Sequence, residues 1–234
     1  MTTLLIATRN AHKAGEIQAI LGKKVRCLTL KEFPDAPAVV EDAGTFAGNA
    51  AKKAVELAKW LVEKHSTSNI QHSSPNFVLA DDSGLEADAL SGAPGVHSAR
   101  FAALDGSAGG GSSAGNIPDA ENNAKLLRLL KDVPPEKRTA RFHCVIALVA
   151  VPVGRIEVAS PVCYADEFEP QFFDGVCEGR IISAPRGQNG FGYDPLFVPI
   201  GFEQTFAELG DEVKNQLSHR AKALEKLKRF LTAV

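Results

Sequence analysis

Two carboxylates, Asp81 and Asp82, stand side by side after an apolar run in "VLADDSG", residues 78–84. Adjacent residues on a strand point to opposite faces. If the strand ends at Asp81, the chain turns through Asp82, Ser83 and Gly84, and both carboxylates can approach one cation. Such a pair suits Mg²⁺, a hard ion that takes oxygen ligands and often binds through substrate phosphates. The same residues also read as an Asx turn at Asp82 beside a solvated Asp81.

Three further stretches carry chemistry. In "ATRNAHK" (7–13) a strand gives way to a helix, which leaves N–H groups facing whatever lies beyond. Thr8 and Asn10 add neutral donors there and Lys13 adds charge; no Gly-rich phosphate fingerprint is present, and a capped surface helix fits as well. In "KNQLSHR" (214–220), His219 and Arg220 fall in the first turn of a helix. A cation there is disfavoured by about 0.3–1 kcal/mol unless an anion or carbonyl sits near; a solvated Arg bearing that cost is the plainer alternative. In "PRGQNGFGYDPLF" (185–197), glycines at 187, 190 and 192 flank aromatics and an Asp. That loop can present Phe191 flat to a planar ring, with Tyr193 either beside it or in the core.

Elements must position these groups. "TLLIAT" (3–8) reads as a buried strand, followed by a helix over 10–21 with Asn10 as N-cap and Gly22 as its stop. "KVRCLTL" (24–30) alternates like a strand. Residues 45–64 form the strongest helical pattern, capped by Thr45, with Phe46, Ala50, Ala54, Leu57, Ala58 and Leu61 in one stripe. Asn49 and Lys53, four apart, share a neighbouring face. A strand over 77–81 follows a polar connector (65–76), and 105–116 reads as a Gly/Ser-rich surface loop. A helix over 119–133 ends at Pro134-Pro135, strands 140–151 and 155–168 suggest a hairpin, and a final helix covers 218–231 with Ser218 as cap. Strands and helices mix without strict alternation, which points to one α/β unit on a mixed sheet.

The totals restrict function. The 234 residues are 44% hydrophobic and 23% charged, with a net charge of -2. No basic block marks a nucleic-acid polymer surface, and no apolar stretch approaches a membrane span. The first residues lack the pattern of a signal peptide, so a cytoplasmic protein is expected. The four cysteines, Cys27, Cys144, Cys163 and Cys177, form no C-x-x-C pair and are expected to be reduced and structural.

The stretches "ATRNAHKAGEI", "TFAGNAAKKA", "LADDSGLEADALSGAPGVHSARF", "ARFHCVIAL", "GFGYDPLFVP" and "KNQLSHRAKAL", in this order, resemble the inosine triphosphate pyrophosphatase family. That family hydrolyses non-standard purine nucleoside triphosphates. The resemblance implies an α/β fold with an elongated mixed sheet, flanking helices and two lobes around a central cleft. It further implies a homodimer and a Mg²⁺-dependent cut between the α- and β-phosphates. Carried over by position, Thr8, Asn10, Lys13 and Lys53 hold phosphates. Glu41 and Asp82 bind the metal, Asp82 also accepts the proton of the attacking water, and Asp81 supports them. Ser83 touches the substrate, Phe191, Gly192, Tyr193 and Asp194 form the base pocket, and Lys214, His219 and Arg220 close it. Gly48 departs from the family, which has an acidic residue before the helix Asn, and the connectors 65–76 and 105–118 are longer than usual.

The chemistry is consistent with these residue types. A triphosphate carries about four negative charges, which Lys13, Lys53 and Mg²⁺ would neutralise. Donors at His219 and Arg220 would donate to the 6-oxygen of hypoxanthine or xanthine and clash with the amino group of adenine. A nucleotide-binding regulator without catalysis would not need Glu41, Asp81 and Asp82. An aspartyl-nucleophile phosphatase would need a D-x-D-x-T/V spacing that "ADDSG" lacks.

Overall fold

The computed structural model describes residues 1–65, 75–105, 117–152 and 168–233. The connector 66–74, the Gly/Ser-rich stretch 106–116, Cys163 and the second arm of the expected hairpin lie outside the described residues. Six strands, β1 (Thr3–Ile6), β2 (Arg26–Thr29), β3 (Phe77–Ala87), β4 (Thr139–Ala150), β5 (Gln171–Ile181) and β6 (Phe197–Pro199), form one sheet in the order β2-β1-β3-β4-β5-β6. β1 pairs in parallel with both β2 and β3, whereas β5 and β6 are antiparallel, so the sheet is mixed as expected. The helices are α1 (Ala11–Leu21), α2 (Phe46–His65), α3 (Asp119–Leu129), α4 (Phe206–Leu217) and α5 (His219–Ala233). Among the described residues, no helix is long and apolar enough to cross a membrane.

The chief correction concerns β3. It does not end at Asp81 but runs unbroken through Asp82, Ser83 and Gly84 to Ala87. The apolar alternation resumes at Leu85 and Ala87, both buried. Within the continuous strand the two carboxylates point to opposite faces instead of meeting across a turn. The helix expected over 119–133 is shorter than its pattern suggested. α3 stops at Leu129, because Leu130 leaves helical geometry (φ -90, ψ 4).

The chain packs as two compact units: Met1–Asp82 with Val145–Asp174 and Ala223–Val234, and Ser83–Cys144 with Gly175–Lys222. In the first, the α2 stripe Ala50, Ala54, Leu57, Ala58 and Leu61 lies against Leu5, Val78, Ala80, Ala147 and Val149 of the sheet. Small residues at three of these helix positions let the backbone sit close to the strands. The caps fall where the sequence places them. Asn10 accepts from the N–H groups of His12 and Lys13, Thr45 Oγ1 accepts from Gly48 N–H, and Ser218 Oγ accepts from Ala221 N–H.

The second unit is built on an aromatic core. Phe142 meets Phe197 edge-on at 4.7 Å and stacks on Phe206 at 6.0 Å. Leu85, Phe101, Leu126, Tyr193 and Leu196 belong to the same cluster. The strands β5 and β6 and the helix α4 escaped the sequence reading. In β5 the inward positions Gly175, Cys177, Gly179 and Ile181 alternate, but two of the four are glycine and carry no apolar signature. A Cβ on Gly179 would lie 2.4 Å from the Val198 carbonyl oxygen and 2.5 Å from the Phe197 ring, so glycine is what lets β6 approach. Gly179→Ala is therefore expected to destabilise by about 1–3 kcal/mol through overpacking; a thermal melt unchanged from wild type would contradict this. α4 is broken at Gly210 (φ 76), which hides its periodicity, though its capping box was readable: Thr205 and Glu208 each accept the other's backbone N–H.

Candidate functional site

The first unit assembles the acidic and basic residues around β3. Where β1 ends, Thr8 Oγ1 accepts the Asn10 N–H (3.1 Å), and Asn10 caps α1. Thr8 and Asn10 thus spend side-chain oxygens on fixing the start of the helix, and they line a surface depression with Arg9, Lys31 and Glu32. That start places Lys13 in the first turn, with Nζ 2.5 Å from Asp81 Oδ1. The Asp81 side chain is fully buried, so this pair is a desolvated one on the α1 face of the strand.

On the other face stands α2. Lys53 Nζ donates to the Asp81 carbonyl oxygen (2.8 Å) and lies 3.2 Å from Glu41 Oε1 and 3.7 Å from Asp82 Oδ1. One ammonium group therefore sits between the two carboxylates that the family resemblance assigns to metal. Asn49, one helical turn before Lys53, donates from Nδ2 to Asp82 Oδ2 (3.0 Å). Burial pushes the Asp82 carboxyl above the usual carboxylate range; Lys53, Lys13 and the Asn49 hydrogen bond oppose that rise, and Glu41 adds to it. A carboxylate so poised is a competent proton acceptor.

These contacts bring together Lys13, Glu41, Lys53, Asp81 and Asp82, with Thr8 and Asn10 one step away through the cap. They differ from expectation in one respect: the carboxylates of Asp81 and Asp82 face different partners rather than converging after a turn. Asn49 is the residue that sequence reasoning left out of the site. Its signal was present: a polar amide in an apolar helical stripe, four residues before a lysine, is fully buried here.

The second unit holds the other predicted residues. Ser218 caps α5 and sets His219 and Arg220 in its first turn, as expected, and both are buried. Arg220 donates to Ser83 Oγ (2.8 Å), and the His219 ring stacks on Phe142 at 4.8 Å with planes 12° apart. Lys214 Nζ lies 2.5 Å from Asp194 Oδ2 and 4.5 Å from the centroid of the Phe191 ring. Asp194 Oδ2 also accepts the Phe191 N–H (2.9 Å), so one carboxylate fixes both the ring's backbone and the cation above it. Arg220 Cζ lies 6.0 Å from the same ring. The loop is held from α3: Gly192 N–H donates to Asp119 Oδ2 (2.6 Å), and its carbonyl accepts from Asn123 (3.0 Å). Tyr193 is a core residue whose hydroxyl donates to the Ser98 carbonyl (2.9 Å). Burial raises its phenol well above the ordinary value.

Comparison with known proteins bears on this arrangement. The model of the Ham1 family matches residues 4–230. A dITP/XTP pyrophosphatase of Geobacillus kaustophilus (strain HTA426) is 46% identical over 228 residues, covering 97% of this chain and 93% of that protein. A HAM1 protein from Coxiella burnetii superposes with a TM-score of 0.73 at 35% identity, covering 100% of both chains. The nucleoside-triphosphatase / dITP/XTP pyrophosphatase from Mycobacterium abscessus does so with a TM-score of 0.64 at 35% identity over 97% of this chain and 98% of that one. Sequence likeness along nearly the whole length and the same fold agree: this chain belongs to the Ham1 family.

Proposed function

We propose that this protein hydrolyses inosine and xanthosine nucleoside triphosphates, ribo or deoxy, to the monophosphate and pyrophosphate, and so removes them from the nucleotide pool. The observation that supports this most is the cluster in which Lys13, Lys53, Glu41, Asp81 and Asp82 interlock around one strand. Two lysines flanked by carboxylates suit a polyanion that arrives with a divalent ion.

The donor set fits Mg²⁺. Glu41 and Asp82 offer hard oxygens on either side of the Lys53 ammonium. Two such carboxylates suit Mg²⁺, which is commonly held by one or two carboxylates plus substrate phosphates rather than by a protein cage. When bound, it would neutralise charge on the phosphate oxygens as a Lewis acid.

The chain's own groups do the rest. Lys13 and Lys53 bind phosphate oxygens, each charge-assisted hydrogen bond being worth about 1.5–3 kcal/mol. A water oxygen bonds to the α-phosphorus, the bond to the β-phosphate oxygen breaks, pyrophosphate leaves with that electron pair, and the water's proton passes to the Asp82 carboxylate. Asp81 holds Lys13 in place. Phe191 stacks on the purine, braced by Lys214, while His219 and Arg220 offer donors to the 6-oxygen.

Lys13→Ala is expected to raise KM for inosine triphosphate about tenfold or more, from the lost phosphate contact. It should also lower the melting temperature, because Asp81 loses its buried partner. An unchanged KM would remove Lys13 from the site. The reaction itself is tested by incubating the protein with Mg²⁺ and a panel of purine triphosphates. Pyrophosphate and monophosphate from the inosine and xanthosine substrates, with little turnover of ATP, are expected. Release of orthophosphate, or no reaction, would overturn the assignment.

A further inference from the structure

We infer that Asn49 is a positioning residue that sets the Asp82 carboxylate and the Glu41 segment in fixed relation through a single side chain; this rests on the proposed metal-assisted hydrolysis. Asn49 is fully buried on α2, and both ends of its amide are engaged. Nδ2 donates to Asp82 Oδ2 (3.0 Å), and Oδ1 accepts from the Ala43 backbone N–H (2.9 Å). The orientation of the amide is dictated by its partners, since a carboxylate can only accept and a backbone N–H can only donate. No carboxylate could replace it, because Asp at 49 would turn an acceptor toward Asp82. No aliphatic residue could satisfy either neighbour.

The Ala43 bond matters because Ala43 lies two residues after Glu41. The segment is secured to three positions of α2: Glu41 by Lys53 (3.2 Å), Asp42 by Lys52 (2.7 Å), and Ala43 by Asn49 (2.9 Å). Gly48 adds to this closeness, for a Cβ there would lie 2.8 Å from Ala43 Cβ. Of these ties, those through Asn49 and Lys53 are made by side chains that also contact Asp82, and Asn49 makes the closer contact, a hydrogen bond at 3.0 Å against 3.7 Å for Lys53. Holding Oδ2 fixes the rotation of the Asp82 carboxylate and leaves Oδ1 on the Lys53 side. Groups that orient a metal-ligating carboxylate in this way typically account for about 10–100-fold in metal affinity or activity.

The test compares wild type with Asn49→Leu, which keeps the volume but loses both hydrogen bonds, and Asn49→Ala. Binding of Mn²⁺ to the metal-free proteins is followed by electron paramagnetic resonance, alongside kcat, KM for inosine triphosphate and circular-dichroism melts. We expect Mn²⁺ affinity and kcat each to fall about 10–100-fold in both variants while KM stays within about threefold. Unchanged Mn²⁺ affinity and kcat in a folded variant would overturn the inference. So would a loss of kcat fully accounted for by unfolded protein, or a raised KM with kcat intact. If wild type releases no pyrophosphate, the proposed reaction fails, and the Mn²⁺ arm then decides the role of Asn49: weakened binding supports it and unchanged binding refutes it.

Discussion

Asp82→Asn is expected to abolish most turnover, lowering kcat by about 10²–10⁴-fold, the usual contribution of a positioned general base, while leaving a folded protein. The amide cannot accept the water's proton, and it removes one of two carboxylates beside the Lys53 ammonium. The fold should survive because Asp82 is held largely by side-chain contacts that a neutral isostere keeps in part. The amide oxygen can still accept from Asn49, and Lys53 retains Glu41 and the Asp81 carbonyl. Stability should even move the other way with pH. The folded state raises the Asp82 pKa, so it holds that proton more tightly than the unfolded chain does. Wild type therefore bears a cost that is absent below the unfolded value of about 3.9 and grows as pH rises through the higher folded value. The variant lacks it, so its melting temperature relative to wild type should increase from acid to neutral pH. Normal turnover by Asp82→Asn would remove the residue from the chemistry.

Lys214→Met is expected to be the most destabilising of the site substitutions. Lys214 and Asp194 form a buried pair with almost no side-chain exposure on either partner. Removing one member strands the other's charge, which costs about 3–5 kcal/mol. At about 2–4 °C per kcal/mol for a chain of this size, the melting temperature should fall by roughly 6–20 °C. The damage reaches Phe191, because Asp194 also accepts that residue's N–H and Lys214 sits over its ring. The double variant Lys214→Met, Asp194→Asn should recover much of the loss: the amide still accepts from Phe191, and no charge remains buried. A single variant that melts with wild type, or a double variant no better than the single, would show that the pair is not coupled as its geometry requires.

Much of this architecture was legible in the chain because the signals were local. Asn10, Thr45 and Ser218 precede apolar stripes and cap helices there. The α2 stripe is nearly uninterrupted and lies where its period puts it. What escaped depends on distant partners. Asp81 and Asp82 looked like a pair in need of a turn, because Lys13 and Lys53, which neutralise them within an unbroken strand, come from far along the sequence. β5 lacks apolar residues where Phe197 fills the space above Gly179. Asn49 could be placed near Lys53 by spacing alone, but its bond to Asp82 spans 33 positions. Tyr193 could be read as core or as site, and only the Ser98 carbonyl shows where its hydroxyl goes.

The unbroken course of β3 restricts how such a chain can vary over evolutionary time. Pairing with β1 fixes Phe77, Val78 and Leu79 opposite Leu4, Leu5 and Ile6. Because faces alternate, inserting or deleting one residue between Phe77 and Ala80 would swing every later side chain to the wrong side. Asp81 would then meet α2 and Asp82 would meet α1, exchanging partners although neither residue had mutated. Length changes should therefore be purged from this strand while volume-conserving apolar substitutions at its buried positions are tolerated. A library of single-codon deletions scored for pyrophosphate release would reveal the strand as a sharply bounded gap.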